Sequence, residues 1–252
     1  VGLASLGPPQ RAAGVTDRGP SLPAGVTGRW KLAFDDEFTG PHPGLGYWKT
    51  CYDWACTNAG NDELEWYKSQ NVTVSGGALR LTARTGAAHG KPYTSGMIQS
   101  NHRFVFRYGF VETRARVPAG TGFWSAFWLL PADGAWPPEI DVMEVYGLHP
   151  SVAALTVHYG DNQAVQKRYR GPDYSRRYHV FGVDWEPGSI TWYVDGVLAQ
   201  RVAISLSTPM YLLATLAIAG SNPPTAATVF PAAMSIKWIR VFQHPNDSQA
   251  LP

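Results

Sequence analysis

Residues 136–147 read WPPEIDVMEVYG and place Glu139, Asp141 and Glu144 within one short apolar segment bracketed by proline and glycine. Carboxylates are normally kept out of apolar runs, because a buried charge must be paired, neutralised or used. Two neighbouring carboxyls on one surface can divide the work of acetal cleavage: one ionised and attacking carbon, one protonated and releasing the leaving oxygen. As a regular strand the segment cannot do this. Glu139, Asp141 and Met143 fall on one face, and Ile140, Val142 and Glu144 on the other. One extra residue, a β-bulge near Val142 or Met143, returns Glu144 to the side of the other two acids. The two glutamates are then spaced like i and i+4, roughly 13 Å between Cα atoms. Their side chains can lean toward the ~5–5.5 Å carboxyl separation of a double-displacement site. Asp141 sits between them, placed to share a proton with a neighbour and shift its pKa. Spacing alone fits a solvated strand with ordinary surface acids equally well.

Most of the chain around this segment is patterned as strand. Residues 71–84, NVTVSGGALRLTAR, are two alternating runs about Ser-Gly-Gly and predict a hairpin. In YGFVETRARVP, Val111, Thr113, Ala115 and Val117 alternate with Glu112, Arg114 and Arg116. Three strands are predicted in YHVFGVDWEPGSITWYVDGVLAQ, with turns at Glu186-Pro187-Gly188 and Asp195-Gly196, and MSIKWIRVFQ is the last strand. No long segment has helical periodicity. Many short strands at close spacing predict an all-β sandwich of two antiparallel sheets. Residues 1–27, rich in Gly, Pro, Ala and Ser without period, read as a tail, 28–244 as a single domain, and 245–252 as a second tail.

Composition narrows the function. The 252 residues hold 21 Lys and Arg against 19 Asp and Glu, a net charge of +2 with no basic cluster, which argues against a nucleic-acid partner. The longest apolar run, MYLLATLAIAG, is about half the ~20 residues a membrane span needs, so no membrane association is expected. Motifs for nucleotide binding and zinc hydrolysis are absent. Ten Trp and twelve Tyr exceed what a core needs, and flat apolar rings suit the C–H faces of sugars. Cys51 and Cys56, in CYDWAC, are close enough to bridge, though two free thiols fit the sequence as well. A bridge would fix the Trp54 loop ahead of Asn61.

The hexamer EIDVME resembles the E-x-D-x-x-E signature of glycoside hydrolase family 16, in the laminarinase-like branch of bulge-containing endo-glycanases. FDDEFTG from Phe34, NDELEWY from Asn61, RYGFVETRARVPAGTGFWSAFWLLP from Arg107, ITWYVDG from Ile190 and IRVFQ from Ile239 resemble further blocks of that family, in its order. The resemblance spans about Arg29 to Gln243. It implies a β-jelly roll of two curved antiparallel sheets with a concave sugar-binding cleft. It further implies a secreted, monomeric, cofactor-independent endo-β-glycanase acting on β-1,3- or mixed β-1,3/1,4-glucan. By position, Glu139 is then the nucleophile, Glu144 the general acid/base and Asp141 the helper. Trp124, Trp128, Asn61 and His158 match positions that line the cleft, and Trp136 is a looser candidate.

Three departures bear on specificity and metal. Met97 stands where the family often has Arg, and AIAGSNPP where it often has Gly-Gly followed by Trp. Both loosen the case for strict β-1,3-glucan specificity; Met97, together with WSAFWLLPADGAWPPEIDVMEVYG, resembles a branch of bacterial enzymes that cut secreted exopolysaccharides, which makes such a polymer the rival substrate. Calcium on the convex face, common in the family, would need an acid such as Glu37 and an Asp in the last strand, where this chain has Lys237; no metal is expected. Non-catalytic glucan-binding relatives lose the paired glutamates, which this chain keeps. A transglycosylase shares the first chemical step and stays open.

Overall fold

A computed structural model describes residues 22–42, 44, 46–160 and 162–245. The proposed tails therefore lie largely outside the described residues. The end of the first, residues 22–27, is described and docks on the domain: Pro23 is buried, and the Ala24 amide donates to Glu112 Oε2 at 3.0 Å.

Two stacked sheets form a β-jelly roll, seven strands in one and ten in the other. The only helical elements among the described residues are the 3₁₀ turns Ala59–Asn61 and Ser69–Asn71. The seven-stranded sheet carries the acids. Its order is Gln163–Arg170, Val152–Tyr159, Glu139–Tyr146, Phe123–Pro131, Met210–Ile218 and Met97–Gln99, all antiparallel, with Val105–Phe106 also paired to Met210–Ile218. The expected hairpin is Val72–Val74 with Leu79–Ala88. The three consecutive strands are His179–Glu186, Ser189–Val194 and Val197–Val202, and the last strand is Ala232–Gln243. One short pairing, Glu65–Tyr67 with Lys91–Ser95, is parallel.

Period-two patterning places the core between the sheets. From the seven-stranded sheet come Phe127, Leu129, Ile140, Val142 and Leu155; from the other, Val111, Phe181, Trp185 and Trp192. Burying each such side chain contributes about 1.5–3 kcal/mol. The run MYLLATLAIAG is a strand covered on both faces, which is why it reads as continuously apolar. Its inner residues face the core, while Tyr211 and Leu213 join Tyr52, Tyr67, Met97 and Trp128 in a second apolar cluster on the other side of the sheet. Met97 is fully buried in that cluster, so the position where the family often has arginine is apolar and sealed from solvent.

On the convex sheet, Lys237 Nζ donates to the carbonyl oxygens of Gly76 and Gly77, 3.0 Å each, and Glu37 is paired with Arg240. An ammonium group fills the last-strand position and a guanidinium occupies the acid. These residues do not fit a divalent cation.

Candidate active site

The strand Glu139–Tyr146 contains the bulge that the chemistry requires. Asp141 lies opposite Trp128 and Met143 opposite Phe127, leaving Val142 as the extra residue; on the other edge the register slips between Asp141 and Glu144. Ile140, Val142, Met143 and Val145 consequently all point into the core, and Glu139, Asp141, Glu144 and Tyr146 stand on the opposite face. A bulge interrupts the ladder and leaves backbone groups to be satisfied elsewhere. Here the Asp141 carbonyl accepts from the indole Nε1 of Trp192, 2.8 Å away and reaching across the core from the ten-stranded sheet.

Each glutamate is held by a tryptophan. Trp136 Nε1 donates to Glu139 Oε2 at 2.8 Å, and Trp124 Nε1 donates to Glu144 Oε1 at 3.0 Å. His158, opposite Glu139 on the next strand, brings Nε2 within 3.3 Å of Asp141 Oδ2 and 3.8 Å of Glu139 Oε1. Glu139, Asp141 and His158 present ligand atoms within 4.8 Å of one another, close enough to chelate an ion, and close enough equally for proton sharing. Burial raises the pKa of all three carboxyls. Asp141 adds to the rise at Glu139, and Glu144 to that at Asp141. Glu144 is pushed up to about 7, first by burial and then by the Glu139 charge, against the lowering effect of the Trp124 N–H. Three carboxyls this close cannot all be ionised, so the trio holds protons into the neutral range.

The acids open on a cleft of about 690 Å³ that crosses the strands. All five predicted binding residues line it: Asn61, Trp124, Trp128, Trp136 and His158. Their characters differ. Trp136 is 54% exposed, a free flat face. Trp124 is partly exposed and stacks on Tyr146, ring centroids 5.3 Å apart and 12° between planes. Trp128 is only 5% exposed and lies under Tyr52, so it is floor more than platform. Asn61 ends the 3₁₀ turn of a loop pinned by Glu63, a buried acid whose Oε2 accepts from the Asn58 amide at 3.0 Å.

Sequence reasoning assigned no binding or positioning role to three groups. Tyr146 lines the cleft two residues beyond Glu144, where alternation alone puts it. Trp54, 55% exposed, lies flat on Tyr52 at 4.5 Å and 7°. Its loop is closed by the Cys51–Cys56 disulfide, and the Tyr67 amide donates to Cys56 O at 2.7 Å. Gly220 in AIAGSNPP is the third: its amide donates to Asp62 O at 2.9 Å, and a Cβ there would lie 2.5 Å from that same oxygen. Only glycine lets the chain approach the Asn61 loop so closely.

A model of the family "Glycosyl hydrolases family 16" matches residues 60–240. An endo-1,3-1,4-beta-glycanase, EglC, of Rhizobium meliloti is 36% identical over 80% of this chain and 49% of its own length. A beta-glucanase of Rhodothermus marinus is 31% identical over 85% of both chains. The structure of an endo-beta-1,3-glucanase from Pyrococcus furiosus superposes with a TM-score of 0.82 at 30% identity, covering 89% of this chain and 98% of that one. The chain spans about half the length of the Rhizobium relative.

Proposed function

We propose that this chain, which belongs to glycosyl hydrolase family 16, is an endo-acting, retaining β-glycanase that cuts β-1,3- or mixed β-1,3/1,4-glucan. The observation that carries the reading is the bulged strand: one inserted residue gathers Glu139, Asp141 and Glu144 on the floor of an aromatic-lined cleft. An open cleft that crosses the sheet suits the interior of a polymer, and the names of the relatives point to the same substrates.

In this reading Glu139, ionised, attacks the anomeric carbon while Glu144, protonated, gives its proton to the departing oxygen. The glycosyl–Glu139 ester is then cleaved by a water that Glu144, now ionised, deprotonates, which restores both groups. Asp141 holds the proton it shares with Glu139 and so stabilises the Glu139 carboxylate charge that is consumed as the ester forms and regained as it breaks. Trp136 fixes the nucleophile through its N–H, and Trp124 and Tyr146 offer a sugar-stacking surface beside the acid. No metal or cofactor takes part. The disulfide suits an oxidising compartment, so a secreted protein is part of the proposal, as is a monomer. No helix among the described residues is long and apolar enough to cross a membrane.

A bacterial exopolysaccharide is the second reading of the substrate, favoured by the sealed Met97 and by the Ala219–Gly220 approach to the Asn61 loop. Product release from laminarin, lichenan and bacterial exopolysaccharides, followed by chromatography, tests both. Internal cuts in the first two support the proposal; no cleavage of any β-glucan or exopolysaccharide overturns it.

A further inference from the structure

We infer that one end of the cleft is a subsite for an anionic substituent on the glycan, a sugar carboxylate or a sulfate ester, held by Arg168 and Arg170. The inference rests on the glycanase reading and specifies the substrate further. Register gives the geometry. Glu144 lies opposite Ala154, and Ala154 opposite Arg168, so acid, methyl and guanidinium form one row across three strands. Two strand spacings put the Arg168 Cα roughly 10 Å from that of Glu144. The small Ala154 between them leaves a trough rather than a wall. Arg170, two residues on and opposite Val152, faces the same way.

The two arginines line a recess of about 410 Å³ with His149, Pro150 and Ser151, and it shares His149, Val152 and Arg168 with the main cleft. No carboxylate lines this recess. In the main cleft the lining acids are Glu139 and Glu144. Four other arginines have partners: Arg240 has Asp35 and Glu37, Arg176 has Asp173, and Arg114 and Arg116 lie over Tyr178. Among the described residues neither Arg168 nor Arg170 makes an ion pair. Lys167, just before Arg168, turns to the other face and donates to Ala199 O at 2.7 Å. The two guanidiniums line one recess with no carboxylate beside them, and the Arg168 charge reaches the cleft, where it acts to lower the pKa of the Tyr146 hydroxyl. A fork of N–H donors matches the oxygens of a carboxylate or sulfate far better than neutral hydroxyls. The opposite end, with Trp54, Asn58 and Asn61, carries no such charge. The cleft is thus polarised, with neutral sugars at one end and an acidic unit at the other.

The test uses one mixed-linkage β-glucan in three forms: neutral, oxidised at C6 to glucuronate, and sulfated. At low ionic strength kcat/KM on one anionic form should exceed the neutral value by about tenfold, the size expected of charge-assisted hydrogen bonds. Whichever form shows the larger ratio identifies carboxylate or sulfate. Salt should erode the ratio. The double variant Arg168→Gln/Arg170→Gln should bring it close to one, and Arg168→Lys/Arg170→Lys should restore part of it. Calorimetry with the same glucans and Glu139→Gln reads the subsite even where nothing is cut. Equal affinity and equal kcat/KM for neutral and anionic forms, or a preference that survives the glutamine pair, overturns the inference. Cleavage of the neutral glucan without anionic preference would leave the glycanase reading standing, whereas anionic binding without any cleavage would sink that reading alone.

Discussion

Trp192, in the core of one sheet, donates its indole N–H to the backbone carbonyl of Asp141 in the other, at 2.8 Å. This contact ties the sandwich interior to the peptide carbonyl just before Val142, the inserted residue on which the site depends. Without a donor the Asp141 carbonyl would be a buried acceptor at a break in the ladder. Trp192→Phe removes the donor and keeps a ring. It should cost about 2 kcal/mol or more of stability, from the unsatisfied carbonyl and the lost ring volume. Loosening the bulge should also lower kcat more than it raises KM, because carboxyl placement matters most in the transition state. Denaturation curves and steady-state kinetics check both, and an unchanged kcat in the folded variant would deny the brace any role in the site.

Glu144 gives a pH prediction whose sign is fixed. Burial and the Glu139 charge raise its pKa to about 7. The protonated form is the competent acid, so kcat/KM should fall as pH rises through about 7. The folded pKa lies above the unfolded one. Stability from this group is therefore fully present below the ordinary glutamate value and is lost as pH rises through about 7. Glu144→Gln should raise Tm at pH 8 and change it little at pH 4, with roughly 2–4 °C for each kcal/mol recovered. A larger gain at pH 4 would reverse the assignment.

How much of this was legible in the sequence follows from what each feature depends on. The strands were readable because alternation at residues 109–117 and turns such as Asp195-Gly196 are local. The need for a bulge was readable too, since three acids and three apolar residues could not otherwise separate. Its brace was not, because Trp192 lies 51 residues away and only tertiary packing brings it to Asp141. Trp128 shows the same limit: spacing put it on the face of Trp124, but the Tyr52 loop that covers it comes from far upstream. The row from Glu144 through Ala154 to Arg168 needs the register of three strands, which no single-strand pattern contains.

The disulfide and Trp54 form one device. Cys51–Cys56 closes the loop that lays Trp54 on Tyr52 and leads into the Asn58–Asn61 turn. For so short a loop, Cys51→Ala/Cys56→Ala should cost only about 2 kcal/mol. Binding of long oligosaccharides should weaken more than binding of short ones, and Trp54→Ala should reproduce that length dependence without the stability loss. Trp124→Ala, beside Glu144, should weaken long and short ligands alike, by about 1–3 kcal/mol. Titration with a ladder of oligosaccharides separates the two patterns; equal losses at every length for Trp54→Ala would remove it from the binding surface.

Chelation should have little effect. The Lys237 ammonium is bound by the carbonyls of Gly76 and Gly77, and Glu37 is taken by Arg240. Dialysis against EDTA should leave Tm and activity unchanged. A fall of several degrees, restored by calcium, would reveal a site formed by other residues.

The roles of the two glutamates separate by substrate. Glu139→Ala lacks the nucleophile and should be inactive on every glycoside, since no ester can form. Glu144→Ala lacks only proton transfer. It should lose about 10²–10⁴-fold on polysaccharide, the usual worth of a general acid. An aryl glycoside with a phenol of low pKa needs no proton to depart, so the first step should survive in Glu144→Ala and the ester should accumulate. Azide, small and already anionic, needs no general base. It should restore turnover in Glu144→Ala by attacking the ester from the face the leaving group vacated, and the product is then a β-glycosyl azide. Glu139→Ala with azide should instead give the α-glycosyl azide or nothing, because a single displacement inverts. Proton NMR of the first products from wild type reads the same stereochemistry directly. An initial α-anomer from a β-linked substrate would mean that water, not Glu139, attacks carbon, and that the bulge brings the carboxyls together for some other purpose.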